Sequence, residues 1–169
     1  MPRSFDISVD YEGSVEQVMA AFADRQYWLA RLADSGVDDA TLDSLHIDDA
    51  GDIAIATTQV LRSDRLPGVV AQFHRGDLHI ERRETWKPVT DGLANAAVDG
   101  AITGAPVSLT GSATLKRSAA GGARLDFQVS VDVSIPLVGG KIERLIGGQL
   151  VDLVIAEQRF TTTWLAETS

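Results

Sequence analysis

The sequence predicts an α+β fold: about seven antiparallel strands, with two short helices after the first, covered by one long C-terminal helix. Three observations carry that expectation. Residues 4–11 and 123–135 alternate apolar and polar side chains, the period-two signature of half-buried strands. Between residues 40 and 117 the chain stays strand-like and is divided by short turn sequences, which implies an antiparallel meander. From Gly139-Gly140 onward, apolar side chains recur at helical spacing over a stretch too long for a connector.

The first strand puts Phe5, Ile7, Val9 and Tyr11 on one face and Ser4, Asp6, Ser8 and Asp10 on the other, and Gly13 ends it. Ser14 then fits a helix N-cap, with Gln17 three residues on completing a capping box. Val15, Val18, Met19 and Phe22 make the apolar stripe of this short helix. Asp24 caps a second, which carries Tyr27, Trp28, Leu29 and Leu32 and stops near Ser35-Gly36. Residues 41–49 and 53–62 flank an Asp-rich turn, Asp48-Asp49-Ala50-Gly51-Asp52, which suits a hairpin. Residues 66–76 form a loop or short helical turn. Strand 77–87, a glycine-interrupted pair from 93 to 117 and strand 123–135 follow, until Pro136 breaks the last. Gly100, Gly104 and Gly111 suit bulges and bends in a strongly curved sheet. Nothing marks a linker or an internal repeat, so one domain spans residues 1–169.

Composition excludes several classes of function. There are no cysteines, which removes disulfides, thiolate metal sites and a cysteine nucleophile. Three histidines without HExxH-type spacing leave no zinc motif, and Asp48, Asp49 and Asp52 lack the distal glutamate of a calcium loop. A formal charge of −9 argues against nucleic acid as a partner. No apolar run has the length of a signal peptide core or a membrane span, so the expectation is a cytoplasmic protein without integral membrane association. No phosphate-loop spacing occurs among the glycines. No cofactor is implied.

The chemistry sits in the terminal helix and in strand 77–87. Ile142, Ile146, Leu150, Leu153, Phe160 and Trp164 share one helical face, and Glu157 falls in the middle of it. A bare buried carboxylate costs several kcal/mol, so Glu157 needs a polar partner, solvent or a cavity. In strand 77–87 the even positions Leu78, Ile80, Arg82, Glu84 and Trp86 form the more apolar set, which turns Arg82 and Glu84 inward. Arg82 is therefore a candidate partner of Glu157.

The element order, with Ile135-Pro136-Leu137-Val138-Gly139-Gly140-Lys141-Ile142-Glu143, Glu157, Trp164-Leu165, Glu84-Thr85-Trp86 and Gly111, resembles the START-like or SRPBCC superfamily. This is the helix-grip fold of birch-pollen allergens and polyketide cyclases. The resemblance spans the whole chain and is to a bacterial domain-of-unknown-function branch. It implies a seven-stranded antiparallel sheet wrapped around the C-terminal helix, with an apolar cavity between them for lipids, polyketides or other flat apolar guests. No catalytic pattern of the superfamily carries over. The expected function is binding or carrying a hydrophobic small molecule or lipid. Glu157, Arg82, Glu84, Trp86, Phe73, Phe127, Leu153 and Phe160 are the candidate ligand contacts. The alternatives are a cyclase or dehydratase-like enzyme using Glu157 as acid and base, and a scaffold whose cavity has collapsed.

Overall fold

A computed structural model describes residues 2–66, 68–71 and 75–168. The strands are β1 (Arg3–Tyr11), β2 (Asp39–Ile47), β3 (Ile53–Leu61), β4 (Leu78–Trp86), β5 (Leu93–Ile102), β6 (Val107–Arg117) and β7 (Ala123–Val133). They form one antiparallel sheet in the order β1-β7-β6-β5-β4-β3-β2. Strands β2 to β7 are a meander, and β1 joins its far edge beside β7. Helices α1 (Val15–Phe22) and α2 (Arg25–Ala33) carry the chain from one sheet edge to the other. The short α3 (Gly68–Ala71) lies between β3 and β4, and α4 (Gly139–Thr168) closes the chain against β1 and β7.

Local chemistry sets the helix starts. Gln17 N–H donates to Ser14 Oγ at 3.1 Å and Ser14 N–H donates to Gln17 Oε1 at 2.8 Å, closing the capping box. Asp24 accepts from Gln26 N–H at 2.9 Å to start α2. Such caps contribute about 1 kcal/mol each. The buried face of α2 differs from expectation: Leu29 is 41% exposed, and Arg31 is buried with Tyr27, Trp28 and Leu32. Positions 27, 28, 31 and 32 stack on one side of a 3.6-residue helix, and position 29 turns away from it.

Gly104 lies in the turn between β5 and β6 with φ +76°, whereas Gly100 and Gly111 mark no bulge. Pairing runs without a register shift through β4, β5, β6 and β7; the shift among the described residues lies in β2, between Leu42 and Ser44. Gly111 instead makes room for Phe127, whose ring would stand 2.6 Å from a Cβ there, and Gly100 does the same for Leu109.

One row across the inner face prepares the interior. Ile53, Trp86, Ala96, Ala113, Phe127 and Ile7 stand opposite one another on β3, β4, β5, β6, β7 and β1. Two alanines between Trp86 and Phe127 leave space in the centre of the sheet. Phe22 of α1 fills part of it, its ring centroid 5.1 Å from that of Trp86. On α4 the deepest line is Ile142, Glu143, Gly147, Val154 and Thr161, with Leu153, Glu157 and Phe160 half-buried beside it. The fully buried Glu143 accepts from the Val133 N–H at 2.9 Å, tying the helix to the end of β7.

Candidate functional site

Glu157 meets two guanidiniums. Arg82 of β4 donates from Nη1 to Oε2 at 2.8 Å and from Nη2 to Oε1 at 3.2 Å, a two-pronged contact. Arg31 of α2 reaches Oε2 from the other side at 2.5 Å. Arg82 also holds Glu84 Oε1 at 3.1 Å. The cluster therefore balances two positive and two negative charges, the condition for burying them together.

Neighbouring groups fix its geometry. The Arg31 guanidinium carbon sits 4.5 Å from the Trp28 ring centroid, and its Nη1 donates to the Tyr27 hydroxyl at 3.3 Å. The hydroxyls of Tyr27 and Thr161 are 2.5 Å apart, and Thr161 Oγ1 donates to the Glu157 carbonyl at 2.8 Å. Thr161 has one proton and spends it on that carbonyl, so Tyr27 is the donor to Thr161. The result is a directed relay from Arg31 through Tyr27 and Thr161 to the backbone of α4.

Burial alone would raise the pKa of Glu157, but Arg31 and Arg82 prevail and hold its carboxyl down at about 2. Burial acts the other way on both arginines and is likewise overcome by Glu157, so both guanidiniums stay charged. A depressed carboxyl stabilises the fold fully above its ordinary pKa of 4.5 and loses that contribution as pH falls toward 2. Urea denaturation between pH 6 and pH 2.5 should show stability falling below pH 4.5, and the fall should be about 2–3 kcal/mol smaller in Glu157→Gln. Equal slopes in the two proteins would contradict the pairing.

The cluster divides the interior. On one side lies a cavity of about 40 Å³ between the sheet and α4, lined among others by Tyr11, Phe22, Trp86, Ala113, Phe127 and Val154. On the other, a cavity of about 60 Å³ opens between α2, β3 and α4, lined by Trp28, Thr57, Gln59, Leu153 and Phe160 among others. Arg31, Arg82 and Glu157 line both, so the ion cluster is the partition between them. Each is of the size that holds one or two waters, against roughly 300 Å³ or more for a drug-sized ligand. A larger hollow of about 390 Å³ lies over β3 and β4 with Asp43, Ala54, Ala56, Glu81 and Arg83; those residues point away from the interior and leave it an open surface groove.

Each expected contact can now be placed. Trp86, Phe127 and Glu84 line the inner cavity, Leu153 and Phe160 the outer one, and Arg82 and Glu157 separate the two. Phe73 lies outside the described residues. Sequence reasoning misses Arg31, although its helical spacing from Tyr27 marks it. It treats Tyr11 only as a strand residue, yet Tyr11 lines the inner cavity. Among the described residues no three His, Asp or Glu side chains gather to hold a metal, and no helix is long and apolar enough to cross a membrane.

Comparison with known proteins fits this architecture. The family described as "Protein of unknown function (DUF2505)" matches residues 6–165. The chain belongs to this family. An uncharacterized protein of Mycobacterium tuberculosis (strain ATCC 25618 / H37Rv) is 54% identical over 170 residues, covering 98% of both chains, and one of Mycobacterium bovis matches equally well. In fold, this DUF2505 chain is similar to a protein of Thermus thermophilus (TM-score 0.61, 12% identity, 99% of this chain and 100% of that one). It is also similar to a START superfamily protein of Mycobacterium smegmatis (TM-score 0.56, 10% identity, 95% and 98% covered). The DUF2505 chain thus has a START-like fold.

Proposed function

We propose that this protein is a single-domain cytoplasmic carrier that binds a hydrophobic small molecule or lipid between the sheet and α4. The observation that carries the reading is the partition: a charge-balanced ion cluster separates two cavities that one displacement of Glu157 would join. The START-like fold supports the same class of function. In the closed form the cavities are too small for such a guest, so binding requires the cluster to open. Freeing Glu157 from its guanidiniums costs about 3–5 kcal/mol. At ~25 cal/mol per Å² of apolar surface removed from water, roughly 120–200 Å² of ligand surface offsets that cost. A two-ring aromatic or an acyl chain is large enough.

Acid–base catalysis by Glu157 is disfavoured by the same geometry. A general acid or base works best with a pKa near neutrality, and the two arginines hold this carboxyl at about 2.

The test is titration of the purified protein with N-phenyl-1-naphthylamine, a neutral fluorophore that brightens in apolar surroundings, alongside solvent extraction and mass spectrometry. Saturable one-to-one binding is expected, weakened at least tenfold in Ala113→Leu, which fills the inner cavity. A folded protein that yields neither saturable emission nor a co-purified apolar molecule would instead be a scaffold with a closed core.

A further inference from the structure

One end of the sheet carries an apolar side chain that the fold does not use. Leu137, in the connection from β7 to α4, is fully exposed, and its backbone φ of 69° lies in the left-handed region that suits glycine. A leucine there strains the backbone and leaves apolar surface in water, with no packing inside the protein to offset either cost. Pro136 beside it is exposed as well. The neighbouring turn between β5 and β6, Thr103-Gly104-Ala105-Pro106, carries no charge. It is joined to this connection by the Ser134 N–H, which donates to the Pro106 carbonyl at 2.9 Å.

Three cations flank this tip. Lys141 and Arg144 are exposed on the first turns of α4, three residues apart on one face of the helix. Arg3 reaches the start of the same helix, its Nη2 3.7 Å from where a Cβ on Gly140 would stand. None of the three joins an ion pair among the described residues, whereas Arg31, Arg62, Arg82, Lys87, Lys116 and Arg124 each hold a carboxylate. The nearby acids do not cancel them. Glu143 is buried and accepts from the Val133 N–H, and Asp132 stands on the outer face of the sheet opposite Ser108. The next acid along α4, Asp152, lies roughly 16 Å beyond Lys141. The chain as a whole has a formal charge of −9, yet this tip is positive. At physiological salt the Debye length is about 8 Å, so a surface touching the tip senses its cations rather than the whole chain.

An apolar tip flanked by cations matches an anionic lipid surface, where a leucine enters the acyl boundary and basic side chains meet head-group phosphates. A second copy fits poorly. Two-fold association would set like charges together, and two loop tips offer far less than the roughly 800 Å² that each partner buries in a stable complex. A protein partner would grip Leu137 between walls, and a projecting side chain has none. We propose that Leu137, Lys141, Arg144 and Arg3 dock the protein reversibly on anionic bilayers. This goes beyond the apolar-ligand reading and stands independently of it, since docking does not depend on what the interior holds.

Pelleting of the whole protein with sucrose-loaded vesicles tests it. Phosphatidylcholine vesicles with about 30% phosphatidylglycerol should carry the wild type down, pure phosphatidylcholine vesicles should not, and about 0.5 M NaCl should release it. Arg144→Ala should weaken the binding about fivefold. Arg117→Ala removes the same charge at the opposite end of the sheet and should change it by less than about twofold. Leu137→Gly separates docking from folding. It removes a side chain from a left-handed position, so the melting midpoint should hold or rise, while vesicle binding falls about tenfold. Equal binding to neutral and anionic vesicles, binding to neither, or binding unchanged in Leu137→Gly overturns the docking surface. Sedimentation as a dimer that Leu137→Gly disperses overturns it too, because the tip would then be a contact between copies. None of these results touches the apolar-ligand reading, which N-phenyl-1-naphthylamine tests.

Discussion

Glu157→Ala is expected to lower the free energy of unfolding by about 3–5 kcal/mol, because it strands Arg31 and Arg82 against a single remaining carboxylate. Arg31 has only 9% of its side chain exposed and Arg82 19%, so water cannot readily take the place of the lost partner. For a chain of this size the loss corresponds to a midpoint lower by roughly 10 °C in differential scanning calorimetry. Glu157→Gln keeps the shape and some of the hydrogen bonding and should cost less. The informative variant is the double one. Arg31→Met with Glu157→Met removes one charge of each sign, leaves the Arg82–Glu84 pair intact and fills the space with apolar atoms. It should recover most of the stability that Glu157→Ala loses, since apolar replacement of a complete buried pair is often neutral. A loss below about 1 kcal/mol for Glu157→Ala would mean that the cluster behaves like a surface ion pair.

Gly147→Leu should also destabilise the fold, through packing rather than charge. A Cβ at this position would run into the ring of Phe5 on β1, which is why the helix can lie so close to the sheet edge. Helix propensity favours the substitution by about 1 kcal/mol. Wedging a leucine against a packed ring costs about 1–3 kcal/mol, and more where a whole helix must shift. The net effect should be a loss of about 2 kcal/mol, measured by urea denaturation. Phe5→Ala in the same chain should remove the clash, so the double variant should be more stable than the sum of the single losses predicts. Simple additivity would show that the helix does not touch β1 there.

Much of this architecture is legible in the sequence, because it rests on local rules. The capping box at Ser14 and Gln17, the turn at residues 48–52 and the alternation in β4 each act within a few residues. They give the element order and turn Arg82, Glu84 and Trp86 inward. The link between Glu157 and Arg82 follows as well, since two charges on facing apolar surfaces have few other ways to be satisfied. Arg31 escapes a reading by hydrophobicity, which favours Leu29 as the core residue where helical spacing favours position 31. Glu143 escapes for a different reason: its partner is the main-chain N–H of Val133, and backbone donors leave no mark in a sequence. Cavity size is beyond reach for a third reason. It depends on how Ala96 and Ala113 fall opposite each other and on how far Phe22 leans in, and both are set by the pairing of distant strands.

Nuclear magnetic resonance of the three tryptophan indoles tests the central claim most directly. Trp86 lines the inner cavity, Trp28 the outer one and Trp164 neither, so the three N–H signals report separately on the two sides of the partition and on the outside of both. During titration with N-phenyl-1-naphthylamine, the Trp86 and Trp28 signals should shift together, saturate at the ligand concentration that saturates the fluorescence, and leave Trp164 nearly still. A ligand that saturates the fluorescence without moving Trp86 would be bound on the surface, and the interior would then not be the binding site.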